Sequence, residues 1–191
     1  MILTIPEMYS TINSYYSEKD VNEILPGIFV SNYRSALSES WLKRFNIQVI
    51  VNCSKDISFI TEKTTDQTWA ATLDIFRVPV DDSLQQKDFD IMQNYISRTN
   101  AFLFQKYFIQ KKRILIHCAA GKERSVTVLA AFIYKYFNSK IYNSLFPDMN
   151  KVLKFIVQKR PEALFFGKSI NFRTSLEKYY NIKILPTVNM T

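Results

Sequence analysis

Four residues between positions 118 and 125 have the types and spacing for nucleophilic chemistry on an anion: Cys118, Gly121, Arg124 and Ser125. They follow the apolar residues Ile114, Leu115 and Ile116 and precede a long apolar run from 126 to 137, the order strand, turn, helix. In that order the strand delivers Cys118 into a tight turn whose N–H groups face inward. The helix then aims the positive end of its dipole at the same spot. Arg124 stands at the mouth with a planar fork of donors matched to two oxygens of a phosphate. A helix terminus and an arginine both favour the thiolate, the form of cysteine that attacks. Ser125 brings a hydroxyl to the sulfur and steadies it as it later leaves. Gly121 lets the turn adopt a positive φ and lets a ligand approach the backbone. The phosphate-binding amides are then those of Ala119, Ala120, Gly121, Lys122, Glu123 and Arg124. An inert buried cysteine is the plain alternative, and it leaves Arg124 and Gly121 without a purpose.

A departing oxygen needs a proton, so a carboxylic acid must reach the phosphate. The stretch Pro79-Val80-Asp81-Asp82-Ser83 ends a strand predicted over 75–80. On residue types alone this pair also reads as a turn or helix cap, which Asp favours. The sole histidine, His117, is adjacent to Cys118 on a strand, so the two side chains point to opposite faces. That rules against a Cys–His protease pair. His117 reads as a hydrogen-bonded imidazole that orders the loop, or as a packed strand residue. Glu123, an acid inside an anion-binding loop, reads as pointing out to solvent.

The stretch HCAAGKERS fits the pattern HCxxGxxRS/T and resembles the cysteine-dependent protein phosphatases. Its A-A-G interior and terminal R-S are similar to the dual-specificity branch. The resemblance runs through ILPGIFVSNYRSAL, LKRFNIQVIVNCSK and KRPEALFFGKSINFRTSLEKYY, roughly residues 21–180. RVPVDDS resembles the family loop in which a Pro stands three residues before the general-acid Asp. That register implies Asp82 as the acid, or Asp81 if the loop is shifted by one. Asn171 matches the Asn of the closing Asn-Phe pair. The family glutamine four residues later is replaced by Ser175, a departure that argues against a water-positioning role there.

The resemblance implies hydrolysis of phosphotyrosine and phosphoserine/threonine in proteins through a cysteinyl-phosphate, with no metal and no cofactor. Two alternatives keep the chemistry and change the substrate. One is the 5′-triphosphate end of RNA, which the net charge of +8 favours; the other is a phosphoinositide, for which Lys122 is the only pointer. A phosphate-binding module without turnover is the remaining class, and the joint presence of Cys118, Arg124 and an acid argues against it. Large DNA viruses encode versions of this fold, and no residue here assigns the chain to them.

The elements that must position these residues follow from the patterning. The chain has 191 residues, 47% hydrophobic and 15% aromatic, enough for one domain with a full core. Residues 1–20 form an extension that reads as a helix outside the core, an arm on a second subunit of a homodimer, or a frayed tail. Residues 21–180 are the phosphatase-like domain and 181–191 a tail. Glu23 to Val30 reads as strand, Pro-Gly turn, strand. Ser38 caps a short helix through Trp41, Leu42 and Phe45. Val49, Ile50, Val51, Asn52 and Cys53 make a buried strand. Residues 54–71 read as loop with a short helical turn. An amphipathic helix spans 88–109, with Phe89, Met92, Ile96 and Leu103 on one face. Val126 to Phe137 is a helix buried all round, and a further helix through Met149, Val152, Leu153 and Ile156 stops at Pro161. Strands alternating with helices predict an α/β fold, a central mostly parallel sheet of about five strands with helices on both faces. The loop then lies at the carboxyl end of a strand, where such sheets bind ligands.

Two cysteines, Cys53 and Cys118, are too few for a disulfide scaffold and fit a reducing compartment. A buried unpaired Cys53 is favoured over a protective disulfide with Cys118. One histidine excludes a His-rich zinc site. No secretory leader and no apolar run near ~18 residues is present, so the expectation is a soluble, cytoplasmic protein without a membrane span.

Overall fold

In a computed structural model, the apolar run before Cys118 is the middle strand of a five-stranded sheet. The strands are β1 (Val21–Leu25), β2 (Ile28–Ser31), β3 (Val49–Asn52), β4 (Asp74–Arg77) and β5 (Ile114–His117), in the order β1-β2-β5-β3-β4. β2, β5, β3 and β4 run parallel, and β1 joins antiparallel to β2. The structure describes residues 20–137, 146–163 and 171–185. The predicted arm, apart from Asp20, and the end of the tail lie outside these residues.

The hairpin from β1 to β2 turns at Pro26-Gly27. Gly27 has φ +80°, which costs glycine little, and its N–H donates to Glu23 Oε1 at 2.7 Å. Register then decides which side chains share a face. Ile28 and Val49 both pair with Ile114, and Phe29 and Ile50 both pair with Leu115. With a side-chain period of two, Ile28, Val30, Val49, Val51, Ile114 and Ile116 face one apolar cluster, and Phe29, Ile50 and Leu115 face the other.

The larger cluster lies under α4 (Gln86–Phe104), α5 (Arg124–Phe137), α6 (Met149–Lys159) and α7 (Arg173–Tyr180). The smaller is closed by α1 (Tyr33–Ala36) and α2 (Glu39–Arg44), with α3 (Gln67–Ala70) alongside through Trp69. Helices therefore cover both faces, as patterning predicts. Each fully buried Ile or Phe, such as Phe132 or Ile133 of α5, contributes roughly 1.5–3 kcal/mol.

Several boundaries differ from the sequence expectation. The strand predicted to reach Val80 ends at Arg77. Beyond it Val80 N–H turns back to the Val78 carbonyl at 2.8 Å, a three-residue turn centred on Pro79. β4 is an edge strand, and Ile75 is 45% exposed. The helix predicted over 88–109 is regular only to Phe104. Residues Gln105–Ile109 form a wider π turn, with Gln110 N–H reaching the Gln105 carbonyl at 3.0 Å. Ser38 stands at the cap of α2 but makes no capping bond, its Oγ facing Ser40 Oγ instead. α5 is buried from Arg124 to Ile133, yet Tyr134, Lys135 and Tyr136 reach the surface. Among the described residues no helix is long and apolar enough to cross a membrane.

Candidate active site

β5 is flanked by β2 and β3, so its carboxyl end is held on both sides. The Cys53 N–H donates to the His117 carbonyl at 2.7 Å and carries the ladder one residue past β3. Cys118 then opens a turn of six residues that ends where α5 begins at Arg124. Cys118 is 2% exposed. Its Sγ accepts the Gly121 N–H at 3.1 Å and lies 3.4 Å from Ser125 Oγ. A sulfur held by an inward-facing amide at a helix N-terminus sits in a field that favours negative charge.

The turn is held from outside through its carbonyls. The Ala119 carbonyl accepts from Tyr33 N–H at 3.1 Å. The Gly121 carbonyl accepts from Arg160 Nε at 2.5 Å and the Ala120 carbonyl from Arg160 Nη2 at 3.4 Å. Gly121 has φ +67°, and a Cβ there would collide with the Ser31 carbonyl and come within 2.8 Å of Arg160 Nη2. Only glycine fits that place. The Glu123 carbonyl accepts from Thr127 N–H at 2.8 Å and Thr127 Oγ1 at 2.9 Å, which fixes the entry to α5.

Arg124 is buried beneath this mouth. Its Nη1 donates to the Val80 carbonyl and its Nη2 to Asp82 Oδ2, both at 3.1 Å. Its Nε is buried without a hydrogen-bond partner. An unsatisfied buried donor on a guanidinium is costly and rare in a purely structural role. Asp82 is 53% exposed and reaches Arg124, whereas Asp81 Oδ1 accepts the Asp82 N–H at 2.7 Å. Of the two candidate acids, the structure thus brings Asp82 to the guanidinium and turns Asp81 into a local backbone acceptor. The loop that carries them is tied to the start of α4, because buried Asp88 Oδ2 accepts from Ser83 Oγ at 2.5 Å and Gln85 N–H at 3.2 Å.

Other predicted residues are placed as follows. Lys122 is surface-facing, its Nζ 4.0 Å from Glu162. Glu123 does not point to solvent as expected. It is buried, at 6% exposure, while Thr127 holds its carbonyl at the start of α5. His117 is buried and its Nδ1 has no hydrogen-bond partner, so the expected loop-ordering bond is not made at that nitrogen. Burial lowers its pKa to about 4, opposed by the Cys118 backbone and aided by Arg77 and Arg124. Asn171 Oδ1 accepts Arg173 N–H at 2.9 Å at the start of α7. Ser175 donates to the Phe89 carbonyl at 3.0 Å and so ties α7 to α4.

Cys53 is a free, fully buried thiol whose pKa burial pushes well above the ordinary value, with Cys118 adding to the effect and Arg124 opposing it. Among the described residues no group of three His, Cys, Asp or Glu is placed to hold a metal.

Two residues in this site escaped sequence reasoning. Tyr33 contributes only its backbone, which carries no residue signal. Arg160 stands in the sequence only within the stretch that carries the resemblance, with no role assigned to it. The available signal lay in its neighbour: Pro161 ends the helix and holds Arg160 in extended backbone, off the helix axis.

The family of dual specificity phosphatase catalytic domains matches the chain over residues 28–182. Tyrosine-protein phosphatase vhp-1 of Caenorhabditis elegans is 26% identical over 165 residues, which is 84% of this chain and 21% of that protein. The chain spans 21% to 36% of the length of the first curated relatives it matches. The crystal structure of human DUSP28 superposes with a TM-score of 0.65 at 20% identity, over 85% of this chain and 93% of that one. A mouse putative dual specificity phosphatase complexed with zinc tungstate gives a TM-score of 0.63 at 20% identity, over 88% of this chain and 91% of that one. At these identities the likeness is one of fold.

Proposed function

Because the chain belongs to the dual specificity phosphatase catalytic-domain family, we propose that it hydrolyses phosphotyrosine and phosphoserine/threonine in proteins. The observation that carries this reading is the convergence of three groups. Cys118 Sγ lies under an inward N–H, Arg124 holds a buried unpartnered Nε, and Asp82 sits on the same guanidinium. In the first step the Cys118 thiolate attacks phosphorus and the P–O bond to the substrate breaks. The departing oxygen takes the proton of Asp82. In the second step a water gives its proton to the Asp82 carboxylate while its oxygen attacks phosphorus, the S–P bond breaks, and inorganic phosphate leaves with Cys118 restored as thiolate. Arg124 and the amides of residues 119–124 hold the equatorial oxygens and the charge they carry in both transition states. Ser125 Oγ steadies the sulfur as it departs. The cysteine usage supports a reducing, cytoplasmic setting.

Phosphate release from a phosphotyrosine/phosphothreonine peptide, run beside a triphosphate-ended RNA, tests the reading. Cys118→Ser abolishes release while still binding an oxyanion such as tungstate. Asp82→Asn lowers kcat by about 10²- to 10⁴-fold on poor leaving groups, and by much less on a nitrophenyl ester whose oxygen leaves without a proton. Near-normal turnover in Cys118→Ser would sink the mechanism. Faster release from the RNA would replace the protein substrate with a nucleic-acid one. A crippled Asp81→Asn beside an active Asp82→Asn would move the acid by one residue.

A further inference from the structure

Arg160 is 1% exposed, among the largest side chains in the protein to be so fully buried. It is the residue after α6, and its N–H still closes that helix on the Ile156 carbonyl at 2.7 Å. Its φ and ψ of −131° and 86° are extended, as the following Pro161 demands. The side chain therefore leaves the helix and runs behind the phosphate loop. There Nε meets the Gly121 carbonyl, Nη2 the Ala120 carbonyl, and Nη1 donates to Asn22 Oδ1 at 2.6 Å. Every nitrogen of the guanidinium has an acceptor, and one fork spans β1, the loop and the end of α6.

These contacts fix more than the carbonyls. In a planar trans peptide the C=O and N–H point in opposite directions, and no peptide bond among the described residues is cis. Drawing the Ala120 carbonyl outward turns the Gly121 N–H inward, and that N–H is found on Cys118 Sγ. Drawing the Gly121 carbonyl outward turns the Lys122 N–H inward in the same way. Tyr33 N–H does the same for the Ala119 carbonyl and the Ala120 N–H. Three successive peptide planes are thus set from behind, two of them by a single side chain.

We propose that Arg160 is a positioning residue that pre-organises the phosphate loop, holding the Gly121 and Lys122 amides aimed at the oxyanion and at Cys118. It touches neither substrate nor the reacting atoms. A lysine in its place keeps the charge but presents one point donor, where the planar fork reaches two carbonyls and Asn22 at once. The inference rests on the loop being the phosphate site of the proposed phosphatase. It goes beyond that reading by assigning the loop's shape to a residue 39 positions away in sequence.

The test compares wild type, Arg160→Lys and Arg160→Met by three measurements. These are kcat and KM on a nitrophenyl phosphate ester, tungstate affinity by calorimetry, and amide hydrogen exchange at residues 119–124. Losing a pre-aimed donor set lowers kcat/KM in Arg160→Met by about 100-fold, weakens tungstate, and speeds exchange at Gly121 and Lys122. Arg160→Lys falls between the two. A residue that serves only stability lowers the melting temperature but leaves kcat and tungstate affinity per folded molecule within about threefold; that result would overturn the proposal. If Arg160→Met does not fold, the tungstate affinity of Arg160→Lys decides by the same criterion. If wild type binds tungstate but releases no phosphate from any ester, the phosphatase reading fails while the tungstate and exchange comparisons still judge the clamp.

Discussion

His117 and Cys118 are neighbours in sequence with different surroundings. Cys118 faces an inward amide at the start of α5. His117 is sealed at the end of β5, its charged form disfavoured by burial and by the nearby Arg77 and Arg124. A histidine with a folded pKa of about 4, against an ordinary 6.5, binds its proton more readily in the unfolded chain. Stability from this residue is complete above pH 6.5 and declines as pH falls toward 4, by about 3 kcal/mol in all. Asp66 and Asp74 are held below the ordinary carboxylate value, Asp66 by Lys43 and Asp74 by Lys106 and Lys112. Their acid sensitivity thus falls below that window. Denaturant midpoints measured from pH 7.5 to 4.5 show this slope in wild type and a shallower one in His117→Gln. Equal slopes in the two proteins would mean that the imidazole takes up its proton as readily in the fold as in the unfolded chain.

The acid loop and α4 behave as one element. Asp88 lies in the first turn of α4, where a carboxylate suits the helix dipole, and it also holds Ser83 and the N–H of Gln85. Leu84 between them has φ +55°, a conformation that a leucine adopts only under constraint. Loosening this tether displaces Asp82 without removing it. Asp88→Ala therefore costs about 1–2 kcal/mol of stability through the lost cap. It also lowers kcat on a phosphoserine peptide by about tenfold or more through misplacement of the acid, and spares the nitrophenyl ester. An equal loss on both substrates would show that Asp88 serves the whole site rather than the proton donor. A second junction works in the same manner: Ser175 and Tyr180 of α7 bond the Phe89 and Ala131 carbonyls of α4 and α5. The position at which the resemblance expects a glutamine is thus spent on helix packing.

At the scale of the whole molecule, the site gathers segments far apart in the chain. Asn22, Ser31, Tyr33, Val80, Asp82, Arg124 and Arg160 come from six different elements or loops around the carboxyl end of β5. An oxyanion that binds only this assembled state stabilises the fold by mass action, by about 2.7 kcal/mol at one hundred times its Kd. For a chain of this size that raises the melting temperature by roughly 5–10 °C. Thermal denaturation with tungstate shows the rise in wild type and in Cys118→Ser, and loses it in Arg124→Ala. A rise that persists unchanged in Arg124→Ala would place the anion elsewhere.

What the sequence determined by itself was local. The Cys118-to-Ser125 spacing, the apolar strand before it and the apolar helix after it specify a strand–loop–helix anion site. Pro26-Gly27 and the β-branched run at 49–51 specify a hairpin and an interior strand. Each depends on backbone propensity and hydrophobic period, which act over a few residues. What only the tertiary structure decided was partnership between distant residues. Whether Asp81 or Asp82 meets Arg124 turns on a three-residue turn at Pro79 and a tether to Asp88, and composition does not encode that geometry. Glu123 is buried where its place in an anion-binding loop suggests solvent, and Arg160, extended at the end of α6, reaches back to the Gly121 carbonyl. A hydrogen bond between residues 39 apart leaves no periodic trace in the chain, since it exists only once the sheet has brought both ends together.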